Sequence, residues 1–152
     1  MDRFAKIVTA FVWISTLLVS AFVLFYTELP FLSALLLLSI AFPYLFSPRD
    51  FVLIDNHLVI KKVLGKVKIP IEDIEEVKLL KKISGIRVFG SGGLYGYFGY
   101  FHLGHIGSVK MYAKRRNKLV LISCKSRRIV ISPENPEEFV AELESRIKNV
   151  MY

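Results

Sequence analysis

Two uncharged apolar runs stand next to each other near the N-terminus. The first covers residues 7–26 and the second residues 29–46, and only Thr27 and Glu28 separate them. At a rise of about 1.5 Å per residue, a helix as long as the first run spans about 30 Å, the thickness of a membrane hydrocarbon core. The second run lies near the lower length limit for such a span. The pattern predicts a transmembrane hairpin of two helices.

Two other interpretations of this segment remain open. Arg3 and Lys6 precede the first run, and Val19-Ser20-Ala21 is a tolerable cleavage site, as in a secretory signal peptide. Against this, the run is long for a signal peptide, and a second apolar run follows almost at once. The other alternative is a buried helical hairpin of a soluble protein. Glu28 is the only charged residue between positions 7 and 46, which leaves no polar face for water.

The charges that flank the two runs predict their orientation. Lysines and arginines lie before the first run and after the second: Arg3, Lys6, Arg49, Lys61, Lys62, Lys66 and Lys68. The connection between the runs contains Glu28 and no lysine or arginine. Because cytoplasmic flanks of membrane proteins are enriched in these residues, we expect both termini in the cytoplasm. The chain is thus predicted to be a multi-pass protein of the cytoplasmic membrane.

Alternating apolar and polar positions after residue 48 predict an all-β domain over residues 49–152. Turn residues such as Asp55-Asn56 and Leu64-Gly65 separate the alternating segments. The predicted strands cover residues 51–54, 57–63, 66–70, 74–80, 109–113, 119–123 and 129–132. Such a series of short strands is typical of a barrel-like module.

One amphipathic helix is predicted at the end of this domain, within residues 133–149. Asn135 is a suitable N-cap, and Glu138 three residues later gives a variant of the capping box. Apolar residues then recur at helical spacing: Phe139, Leu143, Ile147 and Val150. We expect this helix to pack on the sheets and to cap the barrel.

The segment from Ser84 to Gly107 has an unusual composition. It contains eight of the nine glycines of the chain, interleaved with aromatic residues that include Tyr95, Tyr97 and Phe98. Glycines in strands mark bulges, bends or close backbone approach. A strongly bent barrel corner followed by a long loop explains the pattern. A loop that contacts a ligand or dips into the membrane is a second explanation, since aromatic side chains favour the bilayer interface. A re-entrant membrane segment is a third.

Charge adds a further candidate surface. The formal net charge is +8, and the acidic and basic residues among the first 48 positions cancel, so the excess lies in residues 49–152. Two predicted turns are rich in cations: one has Lys114, Arg115, Arg116 and Lys118, and the other has Lys125, Arg127 and Arg128. A cation near an anionic leaflet contributes about 1 kcal/mol of attraction. The turns are expected at opposite ends of one hairpin, so they need not form a single patch. Nucleic acid is the less favoured partner, because a tethered domain reaches little of it.

The sequence contains no convincing catalytic, cofactor or metal site. No P-loop and no Gly-x-Ser-x-Gly motif occurs. His102 and His105 lack a nearby carboxylate or a second cysteine, which makes a weak metal signal. Cys124 is the single cysteine, so an intrachain disulfide is impossible and a reducing compartment is suitable. We expect a protein that is not an enzyme.

Several short motifs resemble those of prokaryotic pleckstrin-homology-like domains, many of which follow a two-helix membrane hairpin. These motifs are Ile69-Pro70-Ile71-Glu72-Asp73-Ile74, Gly90-Ser91-Gly92-Gly93, Gly96-Tyr97-Phe98-Gly99, Tyr112-Ala113 and Ile131-Ser132-Pro133. The resemblance covers about residues 50–150. It implies two nearly orthogonal antiparallel sheets capped by a C-terminal α-helix, and it implies no enzymatic activity. Lipid-phosphate-binding members carry cations around the first hairpin turn, whereas this turn is Asp55-Asn56-His57, so phosphoinositide binding is not transferred.

These observations predict a membrane-anchored, non-catalytic interaction module at the cytoplasmic face of the membrane. In this interpretation the domain binds a protein or peptide partner, or associates with its own copies, through exposed strand edges. The alternative is a sensor of anionic lipid that uses the two basic turns. The sequence identifies neither the partner nor the oligomeric state.

Overall fold

The computed structural model describes residues 1–27, 29–82 and 84–151, so Glu28, Ile83 and Tyr152 lie outside the described residues. The chain begins with two helices, α1 at Arg3–Tyr26 and α2 at Pro30–Leu45. Asp2 caps α1, because its carboxylate accepts a hydrogen bond from the backbone of Ala5. Pro30 occupies the first turn of α2, where the missing N–H is tolerated. The predicted pair of apolar helices is confirmed.

The two helices pack against each other and expose most of their apolar surface. Ser20 and Ser33 are buried between them, and the Ser33 hydroxyl donates to the Ser20 carbonyl at 3.2 Å. Only 6% of the residues in the most apolar 18-residue stretch of α1 are fully buried, which is unlike a core helix of a soluble protein. Within the described residues, α1 is the one helix long and apolar enough to cross a membrane, and α2 is apolar but shorter, with 16 residues.

In the described residues, nine strands form two sheets. A three-stranded sheet has the order β1-β2-β3 and a six-stranded sheet has the order β4-β8-β9-β7-β6-β5. The strand bounds are β1 Pro48–Ile54, β2 His57–Lys62, β3 Lys66–Pro70, β4 Ile74–Lys82, β5 Ile86–Gly93, β6 Gly96–Leu103, β7 Gly107–Ala113, β8 Asn117–Cys124 and β9 Arg127–Ile131. A short 3-10 helix, Ile71–Asp73, joins the sheets. The two sheets and the C-terminal helix confirm the predicted fold class.

One pairing differs from the expected hairpin order. β9 lies between β7 and β8, so that it runs antiparallel to β8 and parallel to β7. The connection from β7 to β8 therefore crosses over the end of β9 instead of forming a hairpin turn. Alternation along a strand shows which side chains share a face, but it does not specify the neighbouring strand.

The six-stranded sheet is strongly curled. Its two edge strands, β4 and β5, are joined only through residues 83–85. Four backbone steps reach at most about 14 Å, so Lys82 and Ile86 lie close together although their strands are at opposite edges of the sheet. The described parts of these two edge strands do not pair with each other, and the barrel is open between them.

Each face of the six-stranded sheet supports a hydrophobic core. The inter-sheet core lies against the three-stranded sheet and the C-terminal helix, and includes Ile60, Tyr112 and Leu143. The curl core lies on the opposite face and includes Tyr97, Phe101, Leu119 and Ala5 of α1. No second sheet in the described part of the chain covers this face, yet its apolar residues are almost fully buried. The curvature of the six-stranded sheet, together with the start of α1, accounts for this burial. The curl core also ties the first turn of α1 to the β domain.

The C-terminal helix, α3 at Pro136–Met151, packs on the inter-sheet core as predicted. Leu143 is fully buried, and Phe139 and Ile147 pack partly buried beside it. Val150, the last member of the predicted stripe, is 36% exposed. Asn135 donates a side-chain hydrogen bond to Glu138 at 2.9 Å, so the two predicted capping residues do contact each other.

The glycine-rich segment forms two strands, β5 and β6, where a long loop was expected. The two strands pair as an antiparallel hairpin with a tight turn at Leu94-Tyr95. Gly90 and Gly99 face each other in this pairing, both with positive φ, and a Cβ on either one would collide with backbone of the other strand. The glycines therefore permit a close strand contact. The re-entrant alternative is wrong, because both strands belong to the sheet of the β domain.

Candidate functional site

The N-terminus of α1 is fastened to the β domain through Asp2. Its carboxylate accepts a hydrogen bond from the Tyr97 hydroxyl at 3.2 Å and another from the Arg116 backbone at 3.2 Å. The Asp2 backbone donates to the Lys114 carbonyl at 3.1 Å. Burial of the hydroxyl, with the nearby Asp2 charge, raises the pKa of Tyr97 to about 12. These hydrogen bonds join the start of α1 to the connection between β7 and β8.

The tip of the β5–β6 hairpin lies against both helices. The Tyr95 backbone donates to the Thr9 hydroxyl at 3.0 Å, and the Tyr95 ring packs edge-on against Tyr44 at 5.2 Å. Burial raises the pKa of Tyr95. Its hydroxyl faces Trp13 without a well-formed hydrogen bond to any part of the chain that the structure describes. Thr9 and Trp13 belong to the first predicted span, so this hairpin tip is level with the start of that span.

A groove opens between the end of α2 and the six-stranded sheet. Its volume is about 630 Å³. Apolar side chains dominate its walls: Phe42, Pro43 and Phe46 from the end of α2, and Phe89, Leu94, Phe98, Tyr100 and Tyr112 from the hairpin and β7. Tyr112 also belongs to the inter-sheet core, so the groove is the open end of that core. We call it the α2 groove.

Strand register explains why these side chains meet. Phe98 pairs with Tyr112 and Tyr100 pairs with Lys110 across β6 and β7, so all four side chains lie on one face. Phe89 pairs with Tyr100 and extends this face onto β5. Phe89 is 74% exposed and Phe42 is 62% exposed, so the mouth of the α2 groove is strongly apolar.

Three cations line the α2 groove, and no carboxylate does so among the described lining residues. The Lys62 ammonium lies 5.6 Å from the centre of the Phe46 ring. The Lys110 ammonium lies 5.4 Å from the centre of the Tyr100 ring. The third cation is Arg87, which donates to the Gly90 carbonyl at 3.3 Å. In the part of the chain that the structure describes, none of the three forms an ion pair with a carboxylate.

The first predicted basic turn lies beside the start of α1, but two of its cations are engaged within the protein. Arg115 donates to the carbonyls of Pro133 and Glu134. The Arg116 guanidinium lies 4.4 Å from the centre of the Phe4 ring, and its Nε is 3.9 Å from the Asp2 carboxylate. Lys118 is exposed and Lys114 is half-buried.

The second basic turn lies at the other end of β8. Lys125 is 3.7 Å from the Asp73 carboxylate, Arg128 donates to the Ile106 carbonyl, and Arg127 is exposed. The two turns are separated by the length of β8, eight residues, or about 26 Å at the usual rise per residue. The structure does not join them into one patch.

The predicted aromatic residues occupy three different places. Tyr95 is at the hairpin tip against the helices, and Tyr97 is in the curl core with 3% of its surface exposed. Phe98, on the opposite face of β6, lines the α2 groove. Sequence reasoning missed the cations and the exposed aromatics of this groove, because they come from β2, β5, β6 and β7. The alternation of Phe98 with Tyr100, and of Lys110 with Tyr112, was the available signal.

The single cysteine and two of the histidines lie at or near strand ends: Cys124 ends β8, His102 is near the end of β6, and His105 follows that strand. Burial raises the pKa of the Cys124 thiol, which keeps it protonated near neutral pH. His102 lies 3.5 Å from the Ser108 hydroxyl at the start of β7, and His105 is exposed. Over the residues that the structure describes, no group of three or more potential metal ligands occurs.

A small and a large β-sheet with one C-terminal helix, preceded here by two apolar helices, is the architecture of a pleckstrin-homology-like domain. The sequence profile of the family described as bacterial PH domain matches residues 44–147, which is more than half of the chain. The protein therefore belongs to the bacterial PH domain family. No curated protein and no solved structure matches the chain.

Proposed function

We propose that the protein is a membrane-anchored, non-catalytic recognition module that binds a protein segment, from a partner or from a second copy, at the cytoplasmic face of the membrane. The apolar surface of α1 and α2 supports the anchor, since the exposed side chains include Phe11 at 69% and Phe25 at 86%. Docking of Asp2 and Ala5 into the β domain supports a retained first helix over a cleaved signal peptide.

The observation that carries the recognition role is the free edge of β5. This strand is the last of the six-stranded sheet and pairs only with β6 among the described strands. Ile86 is 75% exposed and Val88 is 68% exposed on this edge. Neighbouring apolar side chains on an unpaired strand are the features that strand-addition partners use. A bulge at Val88 limits pairing to a short segment, which favours a specific partner over open-ended association.

The partner surface is tested by photo-crosslinking in native membranes. A benzoylphenylalanine replaces Ile86 or Val88, and the matched control replaces Leu79, which is 48% exposed on the opposite edge strand β4. We expect an adduct from the two β5 positions and none from Leu79. An adduct of twice the chain mass identifies a second copy, and a different mass identifies another protein. Equal or absent crosslinking at all three positions contradicts the proposal.

The anchor is tested by protease digestion of sealed vesicles. We expect residues 49–152 to be degraded in inside-out vesicles and protected in right-side-out vesicles. Extraction of the chain by carbonate, or protection in the opposite orientation, contradicts the proposed placement.

A sensor of anionic lipid is the second candidate, and one observation favours it. The first basic turn adjoins the start of α1 through the contacts of Asp2 with Lys114 and Arg116. The second basic turn is at the remote end of β8, and Arg115 and Arg128 donate to backbone carbonyls. If the basic turns attract anionic lipid, the attraction therefore comes from the first basic turn, which is the one beside α1.

A further inference from the structure

We propose that the α2 groove is a binding site for a single anionic phospholipid, with the acyl chains against its aromatic walls and the phosphate beside Lys62, Arg87 and Lys110. This site is separate from the two basic turns. It is also separate from the edge at Ile86 and Val88, neither of which lines the groove.

The walls of the groove match an acyl chain. Phe42, Pro43 and Phe46 continue the apolar surface of α2 directly into the groove. Phe89 and Tyr100 form the opposite wall and remain 74% and 51% exposed. Exposed apolar surface of this extent in a concave site indicates an apolar ligand. A volume of about 630 Å³ is within the usual range of ligand sites.

The cations of the groove match a phosphate. Lys62 and Lys110 are half-buried, and each ammonium is held over an aromatic ring. Cations in such positions, without a carboxylate partner in the described chain, attract an anion more strongly than fully solvated ones. The Arg87 guanidinium adds a planar donor set that suits phosphate oxygens.

The location of the groove selects a lipid as the source of the phosphate. One wall is the last turn of α2, so a bound acyl chain remains beside the apolar helix surface. The hairpin tip next to the groove reaches Thr9 of α1 and packs its Tyr95 ring on Tyr44 of α2. A soluble phosphate compound would leave the aromatic walls uncovered, whereas a phospholipid covers the walls and pairs the cations at once.

Native mass spectrometry of the full-length chain, released from detergent in the presence of defined lipids, tests the proposal. The probes are dioleoyl phosphatidylglycerol and dioleoyl phosphatidylcholine. We expect one retained molecule of the anionic lipid and a weaker adduct of the zwitterionic one. The variant Lys62→Gln/Arg87→Gln/Lys110→Gln should lower the occupancy of the anionic lipid at least about tenfold.

The matched control, Lys66→Gln/Lys68→Gln/Lys81→Gln, loses the same number of positive charges at exposed positions outside both the groove and the basic turns. It should retain the anionic lipid, and an equal loss in both variants would show diffuse electrostatic attraction and overturn the proposal. Phe89→Ser tests the apolar wall and should also weaken retention of the lipid. If glycerol phosphate alone binds as tightly as the lipid, or if Phe89→Ser has no effect, the site is one for a soluble anion and the proposal is wrong. None of these outcomes depends on the crosslinking at β5.

Discussion

Replacement of Asp2 by alanine tests whether the apolar hairpin and the β domain fold as one unit. The carboxylate accepts hydrogen bonds from the backbone of Ala5, from the Tyr97 hydroxyl and from the Arg116 backbone. Asp2→Ala removes all three hydrogen bonds while leaving the apolar surface of α1 unchanged. A purely flexible tether would be insensitive to this substitution.

The expected loss follows from the separate contacts. Removal of an N-cap costs about 0.5–2 kcal/mol, and leaving the buried Tyr97 hydroxyl without its acceptor costs about 1–3 kcal/mol. The ion pair with Arg116 is long and half-exposed, so it contributes little. We expect Asp2→Ala to lower the free energy of unfolding of the β domain by about 2–4 kcal/mol. Asp2→Asn keeps an acceptor oxygen and should lose about 1 kcal/mol or less.

The assay is urea unfolding of the full-length chain in detergent micelles. The fluorescence of Trp13, the single tryptophan, reports the contact of α1 with the β5–β6 tip. A double-mutant cycle of Asp2→Ala with Tyr97→Phe isolates the shared hydrogen bond and should give a coupling energy of about 1 kcal/mol. A loss below about 0.5 kcal/mol in Asp2→Ala, together with no coupling, would refute the docking of the N-terminus.

Two further predictions concern the six-stranded sheet. The pKa of Tyr97 is about 12 in the folded protein, against about 10 for an unperturbed tyrosine. The unfolded chain therefore loses this proton first, so stability is fully present below about pH 10 and is lost as pH rises through about 12. Tyr97→Phe should abolish this part of the decline in urea midpoints, and parallel curves for the two proteins would contradict the assignment. Gly99→Ala should lower the free energy of unfolding by about 2–4 kcal/mol, because it strains a positive-φ position and places a Cβ against the Phe89 carbonyl. Gly104→Ala, which meets nothing within 4 Å, is its control, and equal losses in the two glycine variants would exclude the close strand contact.

Local signals made the helices and most strands predictable from sequence. The apolar runs gave α1 and α2, and the predicted strand at residues 57–63 corresponds to β2 at His57–Lys62. The spacing of Phe139, Leu143 and Ile147 predicted the packed face of α3. Each of these signals depends on residues a few positions apart in the chain, where helical and strand periodicities are directly visible.

The β5–β6 hairpin was not predictable in the same way. Its glycines reduce the strand signal, and their purpose is clear only once Gly90 and Gly99 are seen to face each other. The tip residue Tyr95 has a positive φ of 58°. This conformation is uncommon for residues other than glycine, so the sequence does not predict it. The glycine-rich composition therefore indicated a close contact between backbone segments, but it did not show that β5 and β6 are the two strands in contact.

Charge density along the sequence was a poor guide to the candidate site. The dense clusters, Lys114–Lys118 and Lys125–Arg128, contain arginines that donate to carbonyls of neighbouring segments. The cations of the α2 groove stand alone in sequence, since Lys62, Arg87 and Lys110 come from three strands of two sheets. They meet at one groove only through the pairing of strands and the packing of the two sheets and α2.

The contacts between the two N-terminal helices and the β domain determine where the α2 groove lies relative to the helical hairpin. Asp2 and Ala5 fasten the start of α1, while Tyr95 packs on Tyr44 near the end of α2. Two attachments on two helices prevent the β domain from swinging about a single linker, because a rotation that preserves one contact breaks the other. The α2 groove, whose wall is part of α2 itself, therefore keeps a constant position relative to the hairpin. The proposed lipid site requires such a fixed position, because one of its walls belongs to α2 and the other to the β domain.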